Sequence, residues 1–159
     1  MDSKKSKFKK QVIGRKDKAD FPSLGLYNID VKIDSGAYTS SIHCHNIKII
    51  YTNNISEKVR FNLLDPSHAD YNEKEFILPI HKIKKVKSSS GIAENRIFIK
   101  TKIFIFNNEF DLELSLADRS SLKIPVLLGR KLLKKRFIVD VSKEFLSHKE
   151  KIKLQMEKK

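Results

Sequence analysis

Apolar residues in this chain recur with a period of two. Ile29, Val31 and Ile33 alternate with Asp30 and Lys32, the pattern of a half-buried strand, and that strand ends in Asp34. β-Branched and aromatic runs follow at 46–51, 57–64, 75–87, 95–106 and 109–117. The breaks between them are polar: Asn53-Asn54, Ser88-Ser89-Ser90-Gly91 and Asn107-Asn108, the last reading as a tight hairpin. Phe21-Pro22-Ser23-Leu24-Gly25-Leu26 reads as a loop from its Pro and Gly. Ile124-Pro125-Val126-Leu127-Leu128 and Phe137-Ile138-Val139 are two further short strands. Helical signals are confined to one or two turns at Gly129-Arg130-Lys131-Leu132-Leu133 and to the tail. There Phe145, Lys149, Ile152 and Met156 stand at helical spacing on a thin apolar face. The pattern predicts an all-β barrel or sandwich with one short helix near the C-terminus.

The 159 residues, 40% of them hydrophobic, suffice for one sheet-based core. The expected division is a basic disordered arm at 1–10, one ordered domain at 11–142, and a basic tail at 143–159. A lone cysteine, Cys44, excludes an intramolecular disulfide. The start, MDSKKSKFKK, has no apolar h-region, and no stretch approaches the roughly 20 apolar residues of a membrane span, so a cytoplasmic protein without membrane partners is expected. The formal charge of +14 raises the question of nucleic acid. Its excess, however, lies in mostly lysine clusters at 4–10, 82–87, 131–136 and 149–159, with few interleaved aromatics. Such clusters suit solvated faces or a field for acidic partners better than a base-reading surface.

The chemistry centres on Ile33-Asp34-Ser35-Gly36-Ala37. Asp-Ser-Gly alone is common in turns, where an aspartate accepts backbone N–H bonds. Here an apolar strand feeds the aspartate, Gly36 permits close backbone approach, and Tyr38-Thr39-Ser40-Ser41-Ile42 resumes a β-forming stretch. A carboxylate at the tip of a buried strand, steadied by a hydroxyl and backbone amides and with room for water, is what an aspartic peptidase requires. Farther along, Val126-Leu127-Leu128-Gly129-Arg130 supplies the apolar-apolar-Gly element that retropepsins pair with their Asp-Ser/Thr-Gly strand.

The chain resembles a bacterial and archaeal family of retropepsin-like peptidases that carries the label "ATP-dependent zinc protease" and is linked to ATP-grasp ligases related to the ribosomal protein S6 modification enzyme. The matching segments are Val12-Ile13-Gly14-Arg15, Val31 to Ala37 with Thr39-Ser40-Ser41-Ile42-His43, Val59-Arg60-Phe61, Ser89-Ser90-Gly91 with Glu94 and Arg96, Leu116-Ala117-Asp118-Arg119-Ser120, and Pro125 to Arg130. Ser35 stands where the family usually has threonine, and Tyr38 where it often has arginine. The resemblance implies a retropepsin-like acid-protease barrel with Asp34 as the catalytic carboxylate. Ser35, Gly36, Ala37, Thr39, Gly129 and Arg130 would support its loop, Arg130 by clamping backbone or a carboxylate. Ser89, Ser90, Gly91, Glu94 and Arg96 would form a substrate-binding flap, although a polar β-turn fits the same residues. Asp118-Arg119 reads as a structural ion pair.

The zinc in that label finds little in the sequence. There is no His-Glu-x-x-His, and His43-Cys44-His45 is the only dense cluster of ligand types. On a strand, His43 and His45 would face away from Cys44, and three ligands from one short strand cannot close a tetrahedron. No metal or cofactor is expected, and His43 should be packed or hydrogen-bonded near the catalytic strand.

The expected function is therefore an aspartic endopeptidase whose site is shared across a homodimer, since the chain has one Asp-Ser-Gly segment and two carboxylates are needed. Charge and the ligase link point to acidic or glutamate-extended peptides as substrate, with no specific nucleic-acid partner. The alternative is a catalytically silent barrel that binds an acidic peptide or the ligase.

Overall fold

The computed structural model describes residues 9–87, 91–119 and 123–158, with Ser56 described by its backbone only. Residues 1–8 of the expected arm, the flap tip at Ser88, Ser89 and Ser90, and Ser120 lie outside the described residues. In chain order the elements are β1 (Gln11–Ile13), β2 (Lys16–Phe21), a 3-10 turn (Pro22–Leu24), β3 (Leu26–Ile33), β4 (Ser40–Thr52), β5 (Ile55–Leu63) and β6 (Glu75–Pro79). They continue with β7 (Lys82–Lys87), β8 (Ala93–Ile105), β9 (Asn108–Ala117), β10 (Val126–Leu128), α1 (Arg130–Leu133), β11 (Phe137–Val139) and α2 (Leu146–Glu157). The fold is mostly β, as the sequence pattern predicts, with short helices toward the C-terminus.

Two sheets form among the described residues. β1 pairs in parallel with β11, and the larger sheet runs β10-β3-β2-β8-β9-β4-β5-β6 with β7 on β8. Because β10 also pairs with β4, the path from β10 to β4 closes on itself. Its interior holds Phe21, Ile29, Val31, Ile42, Ile99, Ile103, Leu114, Val126 and Leu128, each at most 1% exposed. Burying side chains of this size contributes about 1.5–3 kcal/mol each, so the ring of strands is a packed core rather than an open channel.

Local residue chemistry sets the strand ends. Asn53 and Asn54 take positive φ between β4 and β5, the conformation that a two-residue hairpin demands and asparagine tolerates. The β8–β9 hairpin turns one residue earlier than the sequence predicts. Phe106 and Asn107 occupy the positive-φ positions and Asn108 already pairs with Ile105; the Phe106 N–H donates to Ser147 Oγ at 2.8 Å, and its side chain is buried. The single run expected at 75–87 is split into β6 and β7 at Ile80-His81.

β2 carries no apolar alternation, yet its Asp17 is fully buried. The Asp17 carboxylate accepts the N–H groups of Lys18 (2.8 Å), Ser147 (2.9 Å) and His148 (3.1 Å), so it caps α2 from about 130 residues away in sequence. Burial pushes its pKa up, and these N–H donors pull the other way. Lys151 adds a bond to Asp20 Oδ2 at 2.8 Å. The tail is thus docked by polar groups, while Ile152 and Met156 of its thin apolar face remain exposed. Asp17→Ala should lower stability by about 2–4 kcal/mol, the cost of a lost cap and of buried N–H groups without partners. Denaturant titration measures the loss, and hydrogen exchange should show α2 losing protection first.

Candidate active site

β3 delivers Asp34 to the head of the closed sheet because β10 runs beside it in parallel register, Leu128 opposite Ile33, while pairing with β4 on its other side. The Asp34 N–H donates to Leu128 O at 2.9 Å. The chain then turns: Ala37 N–H reaches Asp34 O at 3.2 Å, and Gly36 N–H donates to the carboxylate Oδ1 at 3.1 Å. A Cβ on Gly36 would lie 3.3 Å from that oxygen, so glycine keeps this side of the carboxylate open. Asp34 is half-buried, with Ser35 and Gly36 exposed beside it.

The opposing element closes on this loop from behind. Gly129 N–H donates to Ser40 Oγ at 3.0 Å, Arg130 N–H to Ala37 O at 2.8 Å, and Lys131 N–H to Tyr38 O at 2.9 Å. The Arg130 guanidinium donates to Ser35 O at 2.9 Å and lies 5.9 Å from the Tyr38 ring centroid. A cation over an aromatic face stabilises both groups, which gives Tyr38 a local partner. A Cβ at Gly129 would come within 2.6 Å of Thr39 O and 2.8 Å of Tyr38 O. Gly129→Ala should therefore push the 34–39 loop outward, costing about 1–3 kcal/mol by overpacking. The thermal midpoint of this variant measures the loss.

Asp34, Ala37, Tyr38, Thr39 and Arg96 line one side of a cleft of about 530 Å³, together with Ser41, Lys84, Lys85, Lys87, Ser115 and Arg119. The last six were not among the sequence candidates. Lys84, Lys85 and Lys87 belong to β7, whose basic run reads in the sequence as a solvated face. Ser115 offers a signal in retrospect, as a serine between buried Leu114 and Leu116 that is itself 0% exposed. Glu94 faces a neighbouring hollow and binds Arg96 Nη2 at 3.0 Å, while Gly91 is exposed at φ +80°.

His43 is 4% exposed. Its Nδ1 accepts the Arg119 N–H at 2.7 Å, so its Nε2–H is the one that donates to Asp65 Oδ2 at 2.6 Å. Ser67 donates to Asp65 through both N–H and hydroxyl, and these bonds, with His43 adding, hold the Asp65 carboxyl down at about 2. His45 Nδ1 turns instead to Leu64 O, and Cys44 Sγ to Ile42 O. Among the described residues no group of three or more His, Cys, Asp or Glu could hold a metal ion, so the donors present do not fit a zinc site. Asp140, the other aspartate ending an apolar strand, is taken up by Ser142, whose hydroxyl and N–H lower its pKa.

A closed β path with an Asp-Ser-Gly-Ala loop held against an apolar-apolar-Gly strand defines a retropepsin-like chain. The protein belongs to the RimB-like family, described as retropepsin-like aspartic endopeptidase RimB, whose model matches residues 12–150. It is 34% identical over 140 residues to a protein of Shewanella pealeana and 33% identical over 135 residues to one of Desulfotalea psychrophila, both named "Probable alpha-L-glutamate ligase". These matches cover 86% and 82% of this chain but only 30% and 28% of the relatives' own lengths. A crystal structure of a Legionella pneumophila protein of unknown function shares the fold, with a TM-score of 0.65 at 22% identity, covering 87% of this chain and 99% of that one. Among the described residues no helix is long and apolar enough to cross a membrane.

Proposed function

We propose that the chain is one subunit of a homodimeric aspartic endopeptidase in which two Asp34 carboxylates, one from each subunit, share a proton. Two like charges so close cannot both ionise cheaply. The ionised member takes a proton from water as the water attacks the scissile carbonyl carbon, and the protonated member polarises the carbonyl oxygen. What supports this reading is the open carboxylate of Asp34, fixed by the Gly36 N–H and facing a cleft large enough for a peptide segment.

The substrate fits an acidic or glutamate-extended peptide. The +14 charge attracts such a chain, and the ligase name borne by the relatives suggests a partner that would make one. Purified protein should cleave internally quenched peptides, and EDTA should leave the rate unchanged. Loss of cleavage on chelation with recovery on adding zinc would overturn the aspartic reading. Tight peptide binding without cleavage at any pH would favour a silent binding module instead.

A further inference from the structure

The Asp34 cleft contains polar atoms that the fold leaves without partners. Ser115 is 0% exposed and its Oγ has no hydrogen-bond partner among the described residues, and the same is true of Arg96 Nε and Arg119 Nε. All three residues line the cleft beside Asp34. Leaving a buried donor unpaired costs about 1–3 kcal/mol, so three of them on residues lining one cleft favour an acceptor that side-chain adjustment would bring within their reach.

The charge balance specifies the acceptor. Arg96, Arg119 and three lysines of β7 border the cleft, and among its described lining residues Asp34 is the one acid, while Glu94 and Asp118 stand in the adjoining hollow that the two arginines also line. Burial weakens the hold of the Arg119 guanidinium on its proton, the nearby Arg96 guanidinium weakens it further, and Asp34 works in the opposite direction. Two guanidinium groups near each other in a half-buried setting are stabilised by a shared anion, and a planar carboxylate matches the guanidinium fork. Arg119 is already oriented. Its N–H is held by His43, which Asp65 fixes in turn, and its Nη1 donates to Ser41 Oγ at 3.2 Å. Arg96 is tied through Nη2 to Glu94 at 3.0 Å, and its Nε is buried without a partner among the described residues.

We propose that Arg96 and Arg119, with the Ser115 hydroxyl, form a subsite that holds a substrate side-chain carboxylate next to Asp34. They are specificity-determining residues, and His43 and Asp65 position Arg119. The inference rests on the peptide-cleft reading given above.

The test uses two fluorescein-labelled octapeptides, identical except that one has glutamate where the other has glutamine. Binding is followed by anisotropy on the full chain carrying Asp34→Asn, and hydrolysis of the same pair is followed on the native protein. The glutamate peptide should bind at least about tenfold more tightly, the margin of one charge-assisted pair. Arg119→Gln and Arg96→Gln should each cut that ratio several-fold, and the double variant should bring it close to one. Arg119→Lys should recover only part of it, because it keeps the charge and loses the fork. A circular-dichroism melt identifies any variant that fails to fold, in which case the Arg96 variant and the lysine variant carry the test. A ratio unchanged in the folded variants, or a native ratio near one while peptides are cleaved, overturns the subsite and leaves the peptidase reading standing. An arginine-dependent ratio without cleavage upholds the subsite and removes the peptidase reading. No binding of either peptide removes both.

Discussion

Replacing Asp34 by asparagine should leave the unfolding transition where it is and reduce peptide hydrolysis by roughly 100- to 10,000-fold, the range associated with loss of a general base. The fold should survive because the amide oxygen can still accept the Gly36 N–H that Oδ1 now accepts at 3.1 Å, and the half-buried side chain keeps its shape. What asparagine cannot do is take a proton from water. Steady-state kinetics on folded Asp34→Asn protein decides the matter. A kcat/KM within a few-fold of the native value would mean that the reacting carboxylate lies elsewhere.

Why this loop was legible in the sequence, and its cleft was not, follows from the range of the forces involved. The alternation at Ile29, Val31 and Ile33 is local, and each of these residues is buried as that period requires. Gly129 and Arg130 could be joined to Asp34 because a parallel strand pair brings fixed short segments together, and the resemblance supplied the partner. β2 does not stand out in the sequence because Lys16-Asp17-Lys18 looks solvated, and the N–H groups that account for a buried Asp17 come mainly from α2, far along the chain. In the sequence β4 reads as two stretches, 38–42 and 46–51. It is one strand of 13 residues, bent at Asn46, whose φ of 53° interrupts the pairing with β5 between His45 and Lys48. In the sequence Arg119 reads as half of a structural ion pair with Asp118. Its orientation depends on His43, 76 positions earlier, and its neighbours Arg96 and Ser115 come from separate strands. No local spacing encodes such a set.

The chain has a single Asp-Ser-Gly, and Asp140 is engaged by Ser142, so the shared-proton mechanism proposed above calls for the carboxylate of a second chain. A closed twofold contact would set two identical 34–38 loops against each other. The surface is compatible with that arrangement. Ser35 and Gly36 are exposed, Tyr38 is 54% exposed at the edge of the loop, and Ile138 on β11 is equally open. Specific activity should therefore rise with protein concentration and level off once the dimer predominates. Mixing provides the more discriminating experiment. With a ninefold excess of Asp34→Asn protein, freely exchanging, a native chain finds a native partner about one time in ten, so activity per native chain should fall roughly tenfold if both carboxylates are required. A monomeric enzyme would show no dilution by the variant, since each native chain would keep its whole site. Activity that is constant per native chain across the mixing series, in a protein that sediments as a monomer, would remove the shared site and the pairing of the two Asp34 residues with it.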